Sequence, residues 1–344
     1  METTLKPGTV EYGAMQAIKN CLKVKPKEKI VIITDINTKF IADELKKNCD
    51  DITPGNTQIF TMENFGERPD DGSNPLKFPE EIGNAMKDAD VSIYAASGKM
   101  GELKSFRMPM LDIVEENKIL RHGHMPNINK TLMEQGMSVD YDMVQKISHE
   151  VADIASKSKW IKVTTPAGTD FTAYFNLNWK WVISDGLIQA DNWSNLPDCE
   201  VFTCVESIPE GTIVVDGTLG DYFCEKYGKM EKYPLTLTIK DSRVIDMKCD
   251  NQAIIDDLSK YIKQDENADR IGEFAIGTNL GLKELVGNLL QDEKFPGIHV
   301  AIGHGYSEKT GSGWMSAGHV DCVLKNCTIT CEDKVIMQDG KFLI

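Results

Sequence analysis

An α/β fold in two parts is predicted by this sequence: a doubly wound, mostly parallel sheet first, then an α+β domain that is largely antiparallel. Two observations predict it. Strand-like and helix-like segments alternate through the first half of the chain. In the second half, short β-rich segments are separated by Gly and Pro. The first pattern is typical of βαβ units, and the second of antiparallel sheets.

The first half begins with KEKIVIITD, a compact apolar run rich in β-branched residues, which predicts a buried strand. A helical pattern, FIADELKKN, and a second strand-like run, TQIFTM, follow. The next cycle has a helix, the buried strand ADVSIYAAS and another helix. These segments cover residues 27–35, 40–48, 57–62, 79–87, 89–97 and 110–117.

A longer helix is predicted from Ser138, because apolar residues form one stripe along it. The stripe consists of Val144, Ile147, Val151 and Ile154. After Trp160 the sequence pattern changes to β-rich segments such as WIKVTTPAGTDFTAYF and YPLTLTIKDSRVIDMKCD. We therefore expect two domains, residues 1–157 and residues 158–344, with this helix at the junction.

Composition excludes several function classes. The 344 residues include 38 Lys and Arg against 53 Asp and Glu, a formal net charge of −15. Such a surface repels phosphate backbones, so no nucleic-acid partner is expected. No apolar run approaches the length of about eighteen residues that a membrane span needs, and the N-terminus does not resemble a secretory signal. We expect a cytoplasmic protein with no membrane partner, whose nine cysteines are reduced.

Histidines are scarce, and three of the six lie close together: His299, His304 and His319. In GHVDC, His319 and Asp321 are two residues apart on a predicted strand, so both side chains point to the same face. His299 lies on another strand-like segment, GIHVAIG. Two imidazoles and one carboxylate could bind a divalent ion. The alternative for so short a motif is a structural histidine beside a capping aspartate.

Two carboxylates stand in unusual surroundings. Glu273, in RIGEFAIGTN, lies inside an apolar strand-like segment, where a cation would offset the cost of burying its charge. Glu200, in NLPDCEVFTCV, also lies beside strand formers. Tyr306 follows a strand in a Gly-rich loop, from which it could reach over a site. Taken singly, the two acids could be surface or edge residues, and the tyrosine a solvent-facing one.

Five motifs follow one another along the chain: NLPDCEVFT, GTIVVDG, RIGEFAIGTN, IHVAIGHGY and GHVDCV. Their order resembles that of the M29 type of metallopeptidases, the thermophilic aminopeptidases. In the first half, KILRHGHMPNIN resembles the stretch that ends the family's N-terminal sheet, and TTPAGTDFTAYF resembles its domain-entry strand. The resemblance extends over most of the chain and places the metal site in the C-terminal domain.

The resemblance also implies a metal-ligand set. The family's positions fall, in chain order, on Glu200, Glu273, His299, Tyr306, His319 and Asp321. Such a set would hold two divalent ions, either zinc, cobalt or manganese. Glu200 or Glu273 would shuttle a proton, and Tyr306 would bind metal or donate to the developing oxyanion.

The implied activity is that of a metal-dependent aminopeptidase, a hydrolase acting on short peptides as a homodimer. A first alternative is a dioxygenase, because a shorter branch of the superfamily contains 2,5-dihydroxypyridine dioxygenases with one iron(II). His299, His319 and Asp321 could hold that iron. DEK at residues 292–294, where many peptidases have DEN, is a departure from the peptidase pattern. Glu273, in place of a further His, favours hydrolysis. A second alternative is a small-molecule binding protein without catalysis.

His304 has no firm counterpart in the family pattern. It is either a contact behind the metal ligands, a substrate contact or a solvent-facing loop residue. His122 and His124, in RHGHMP, stand at the predicted end of an N-terminal strand. They either face a ligand site or are solvated loop residues, and we expect the latter.

Overall fold

The computed structural model describes residues 5–190 and 192–344, which divide into two compact units. The first unit ends at Asp142 and also includes Gly186–Asp198. The second consists of Met143–Asp185 and Cys199–Ile344. The expected domain boundary at residue 157 stays a prediction. No helix in the described residues is long and apolar enough to cross a membrane.

Strands and helices are numbered in chain order. The strands are β1 (Ile30–Thr34), β2 (Thr57–Thr61), β3 (Val91–Ala96), β4 (Arg121–Pro126), β5 (Trp160–Thr164), β6 (Asp170–Tyr174), β7 (Val182–Ser184), β8 (Asn192–Asn195), β9 (Glu200–Cys204), β10 (Glu210–Val215), β11 (Leu235–Lys240), β12 (Arg243–Lys248), β13 (Ile271–Gly277), β14 (Gly297–Gly303), β15 (His319–Leu324), β16 (Thr328–Cys331), β17 (Lys334–Gln338) and β18 (Lys341–Phe342). The α-helices are α1 (Val10–Met15), α2 (Lys39–Asp50), α3 (Glu80–Lys87), α4 (Met108–Glu116), α5 (Lys130–Glu134), α6 (Tyr141–Ala155), α7 (Asp221–Tyr227), α8 (Gln252–Tyr261), α9 (Leu289–Asp292) and α10 (Ser307–Thr310).

A parallel sheet forms the centre of the first unit, in the order β2-β1-β3-β4-β8. The strand order reverses at β1, as in doubly wound folds. Every residue of β1 and of β3 is buried, because helices of such folds cover both faces of the sheet. The predicted α/β fold class is confirmed.

The two histidines of β4 correct one expectation from the sequence. His122 and His124 are buried in the sheet and are not solvated loop residues. The Ser92 hydroxyl lies 2.7 Å from Nδ1 of His122, and Arg107 Nη2 lies 2.9 Å from Nε2 of His124. Burial, with the nearby Arg107 charge, lowers the pKa of His122 to about 3 and holds the pKa of His124 well below its ordinary value. Both imidazoles are therefore neutral parts of the core.

The second unit contains two antiparallel sheets. The larger has the order β12-β11-β10-β6-β5-β16-β17-β18, and the smaller has the order β15-β14-β13-β9-β7. Apolar residues of both sheets share one core with Ile147, Val151 and Ile154 of the α6 stripe. Val144, the first residue of the stripe, is also buried. The smaller sheet contributes its alternate residues to that core, among them Phe274, Ile276 and Val300. Its other face carries the residues described next.

Candidate metal centre

Strand register brings the predicted ionisable residues to one face of the five-stranded sheet. Glu273 on β13 and Asp321 on β15 both pair with Ala301 of β14, so the two carboxylates flank a methyl side chain. His299 lies two residues before Ala301 and pairs with Ala275. Because side chains alternate along a strand, all five project to the same side. Two alanines between the ionisable groups leave room for these groups to converge.

The remaining strand residues extend the same face at its two edges. Glu200, the first residue of β9, pairs with Gly277 of β13. His319, the first residue of β15, pairs with Gly303 of β14. Glu200, Glu273, His299 and Asp321 are buried, whereas the His319 side chain is 25% exposed. The opening to solvent in the second unit is therefore on the His319 side.

The distances show which of these groups meet. Nε2 of His319 lies 3.3 Å from Oε2 of Glu273 and 3.2 Å from Oδ1 of Asp321. Nε2 of His299 lies 3.5 Å from Oε2 of Glu200 and 3.8 Å from the same Asp321 oxygen. Asp321 thus stands between two imidazoles, each of which also faces a glutamate. The five strand residues form one continuous cluster.

Each imidazole is oriented by a backbone carbonyl. Nδ1 of His299 lies 3.0 Å from the carbonyl oxygen of Glu293, and Nδ1 of His319 lies 2.9 Å from that of His304. The Nδ1–H group of each imidazole donates a hydrogen bond to its carbonyl, so that Nε2 faces the carboxylates. His304 therefore contributes its backbone, while its side chain lies 3.2 Å from Glu308. That carbonyl contact carries no sequence signal, because any residue could supply it.

Tyr306 lies in the loop between β14 and α10, as its sequence position predicted. Its backbone is left-handed, with φ of 50°, and it precedes the first residue of α10. The ring is partly buried and packs against His319, with 5.1 Å between ring centroids, and against Phe202 at 5.4 Å. Tyr306 therefore adjoins the cluster on the His319 side.

Two residues that the sequence did not single out as ligands or contacts complete the cluster on the other side. Lys294 is buried, and its Nζ lies 2.6 Å from Oε1 of Glu200 and 2.8 Å from Oε1 of Glu293. Glu293 lies next to Lys294 in the chain, directly after α9. The available signal was the DEK segment, which was noted only as a departure from the family pattern.

Charge and burial shift the pKa values of several groups, and the shifts oppose one another. Burial alone would raise the pKa of Asp321, but the charge and hydrogen bond of His319, aided by Lys294, hold it below its ordinary value. Burial would lower the pKa of His319, but the carboxylates of Asp321 and Glu273 raise it well above the usual range. Burial raises the pKa of Glu293 well above its usual range, although Lys294 opposes the shift.

The Tyr306 hydroxyl is held in its protonated form. The charge of His319 would lower the pKa of this phenol, but burial and the carboxylates Glu273 and Asp321 together raise it above its ordinary value. A protonated phenol donates a hydrogen bond. Tyr306 is therefore available as a donor at neutral pH.

A divalent ion fits best at Glu273, His319 and Asp321. One ligand atom from each lies within 4.8 Å of the other two, and no second group of this kind occurs in residues 5–190 and 192–344. Two carboxylates and an imidazole are ligands suited to zinc, manganese, iron and cobalt. That the six predicted residues act as ligands stays a prediction, although the structure brings five of them together and Tyr306 alongside.

A groove of about 710 Å³ also opens on the larger sheet of the second unit, but it is separate from this cluster. Its lining includes Phe171, Glu210 and Lys240. None of its residues belongs to the group that could hold a metal. The candidate metal site on the smaller sheet is therefore separate from this groove.

Fold and cluster together define a protein class: an α/β unit combined with an antiparallel unit that carries a candidate divalent-metal site. The chain belongs to the thermophilic metalloprotease family (M29), whose sequence model matches residues 140–341. The predicted family membership is thereby confirmed, and it implies a divalent metal.

The fold is shared by several solved structures, among them the following two. Wild-type AmpT from Thermus thermophilus is 16% identical, with a TM-score of 0.69, over 97% of this chain and 99% of that one. The 2,5-dihydroxypyridine dioxygenase from Pseudomonas putida KT2440 is 14% identical, with a TM-score of 0.67, over 98% of both chains. No curated protein sequence matches the chain. At these identities the structural similarities show the fold alone.

Proposed function

We propose that the protein is a metal-dependent aminopeptidase that removes N-terminal residues from short peptides. The observation that carries the proposal is the convergence of Glu273, His319 and Asp321, whose ligand atoms all lie within 4.8 Å of one another. Membership of the metalloprotease family supports it. A cytoplasmic homodimer stays a prediction from the sequence.

A divalent ion at this site would polarise the scissile carbonyl and make a water molecule acidic enough to attack it at neutral pH. Glu200 would take the proton from the water and return it to the leaving amine, because its Oε1 is held by Lys294 while its Oε2 faces the cluster. The protonated hydroxyl of Tyr306 would donate a hydrogen bond to the oxyanion of the tetrahedral intermediate.

Charge favours an exopeptidase that recognises a free amino terminus. Four acids lie in the cluster, namely Glu200, Glu273, Glu293 and Asp321, and all except Glu293 are buried by residue exposure. Lys294 and the metal ion would offset much of this charge, and the peptide ammonium group would pair with Oε2 of Glu200, which faces the cluster while Lys294 holds Oε1. Acetylation of the peptide removes that charge and should abolish cleavage.

The test is amino-acid release from free and N-acetylated dipeptides after the metal-free protein is supplied with zinc, cobalt or manganese. We expect cleavage of the free peptide only, and loss of cleavage with EDTA. The variant His319→Ala should be inactive while its first unit remains folded. Absence of cleavage with every metal, on any free peptide tried, would overturn the proposal.

A mononuclear iron(II) dioxygenase is the second candidate. It is favoured by the two imidazoles on either side of Asp321, whose Oδ1 lies 3.2 Å from Nε2 of His319 and 3.8 Å from Nε2 of His299. Two histidines and one carboxylate are a common ligand set for iron(II). Glu273, 3.3 Å from His319, adds a second carboxylate and counts against it. Oxygen uptake with 2,5-dihydroxypyridine and iron(II) distinguishes the two. A binding protein without catalysis would give neither activity.

A further inference from the structure

Lys294 is a buried amine on the Glu200 side of the cluster. Its side chain is 2% exposed, and its Nζ contacts one oxygen of Glu200 and one of Glu293. A buried lysine is costly unless opposite charges and hydrogen bonds satisfy it, and here two carboxylates do so. The Glu200 side of the cluster thus already contains a cation supplied by the chain.

The backbone of Lys294 is fixed against the same sheet. Its amide donates to the carbonyl of Gln291 at 2.9 Å, and its carbonyl accepts from the amide of Asn279 at 3.0 Å. A Cβ atom on Gly277 would lie 2.8 Å from the carbonyl carbon of Lys294 and 2.1 Å from the carbonyl oxygen of Phe295. Only glycine at residue 277 allows this approach, and Gly277 is the strand partner of Glu200. Register therefore directs Lys294 to Glu200.

The two sides of the cluster differ in how many free ligand atoms remain. On one side, Glu273, His319 and Asp321 form the group able to hold an ion. On the other side, Oε1 of Glu200 is bound by Lys294. The ligand atoms that remain there are Oε2 of Glu200 and Nε2 of His299, which lie 3.5 Å apart. A divalent ion there would stand beside the ammonium group and be repelled by it.

We propose that Lys294 replaces a second metal ion, so that this chain binds a single divalent ion at Glu273, His319 and Asp321. This inference rests on the proposed metal-dependent function and deepens it, because it changes the ion count expected from the sequence. Lys294 is a positioning residue: it neutralises Glu200 and Glu293 and fixes the Glu200 carboxylate. His299 then faces a carboxylate held by an amine.

Metal content measures this directly, without reference to activity. The full chain is freed of metal with EDTA, titrated with zinc and analysed by native mass spectrometry. We expect about one tightly bound zinc per chain in the parent protein and about two in Lys294→Ala, which removes the ammonium and opens space beside Glu200. Lys294→Arg keeps the positive charge and should still bind one zinc.

A matched control is Lys325→Ala, which removes a lysine that pairs with Glu231 at 2.8 Å outside the cluster. It should leave the zinc count unchanged. If Lys294→Ala does not fold, His319→Ala decides the question. Loss of all tightly bound zinc in that variant supports the proposal, whereas one remaining zinc shows an independent second site and overturns it.

Failure of this inference differs from failure of the proposed function. Two zinc ions in the parent protein, or no gain in folded Lys294→Ala, would overturn the role of Lys294 and leave the peptidase proposal standing. One zinc in the parent without peptide cleavage would overturn the activity and leave Lys294 as the internal cation. No binding of zinc, cobalt or manganese by the parent would overturn both.

Discussion

Nε2 of His319 and Oδ1 of Asp321 lie 3.2 Å apart, because the two side chains project from the same face of β15 with one residue between them. The charge of His319 holds the pKa of Asp321 below its ordinary value despite burial. Asp321 is therefore a carboxylate throughout the neutral range, and its oxygen is shared between His319 and His299. A single carboxylate thus links both imidazoles of the cluster.

Asp321→Asn should weaken zinc binding by more than about 100-fold, because the amide keeps the shape of the side chain but lacks its charge. Mutation of a residue that only supports a metal ligand already lowers metal affinity by up to about that factor. Competition with a chromophoric chelator measures the affinity. Asp257→Asn is the control, since Asp257 pairs with Lys226 on the surface. Parent-like affinity in Asp321→Asn would remove this carboxylate from the metal site.

Zinc affinity should depend on pH through His319. Because the pKa of His319 is raised, its imidazole stays protonated up to a pH well above the ordinary histidine pKa. Nε2 must lose its proton before it can bind metal. Affinity is therefore weak at low pH and rises about tenfold per pH unit until the pH passes the raised pKa. Above that pH, the dependence on His319 ends.

Calorimetric titrations in two buffers of different ionisation enthalpy measure the number of protons released. We expect release of about one proton per zinc at neutral pH in the parent protein. His149→Asn, which changes an exposed histidine on α6, should release the same number. An affinity that stays constant between pH 6 and pH 9 would contradict the titration of His319.

The sequence predicted the strands of the site well, for a physical reason. Apolar runs such as those around Glu273 and His299 form strands because alternate residues enter the core, and a charged residue in such a run must face the other side. HxD spacing predicted that His319 and Asp321 share a face, and both are on that face of β15. Local patterns thus placed each residue on its strand.

What the sequence could not supply was the relation between distant segments. Lys294 reaches Glu200 through a loop that packs on Gly277, and no periodicity encodes that approach. His122 and His124 were expected to be solvated loop residues at the end of a strand, yet they are buried in β4. Their burial depends on partners such as Arg107, fifteen or more residues away in the chain.

Stability should fall in mild acid because of His122. Its pKa is lowered to about 3 in the folded protein, whereas an unfolded histidine has the ordinary value near 6.5. Above pH 6.5 the imidazole is neutral in both states and contributes no pH dependence. Between about pH 6.5 and pH 3 the unfolded chain binds a proton that the folded chain does not, which costs about 1.4 kcal/mol per pH unit.

Urea unfolding, followed by hydrogen exchange of the β4 amides, measures this effect in the first unit. The fluorescence of Trp193, which lies 5.6 Å from His124 between ring centroids, overlaps that of four other tryptophans. His122→Asn removes one titrating group and should reduce the slope of unfolding free energy against pH below pH 6. The control variant is His149→Asn, whose side chain is 62% exposed and lies in the second unit. An equal slope in the parent and His122→Asn would show that His122 does not titrate on unfolding.

Gly272 controls the position of Glu273. It lies at the irregularity of β13 where the pairing with β14 shifts between Ile271 and Glu273. A Cβ atom there would lie 2.1 Å from the carbonyl oxygen of Gly303 and 2.9 Å from the amide nitrogen of Gly305. Both are backbone atoms and cannot rotate away, so the strand itself must move.

Gly272→Ala should therefore destabilise the second unit by about 1–3 kcal/mol, as overpacking of a core does. It should also weaken zinc binding, because displacement of the strand moves the Glu273 carboxylate away from His319, from which it is 3.3 Å in the parent. Urea unfolding and zinc titration of the same preparation test both effects. Unchanged stability with unchanged zinc affinity would mean that β13 tolerates a side chain here, and that the close approach of Gly272 to the loop after β14 does not position Glu273.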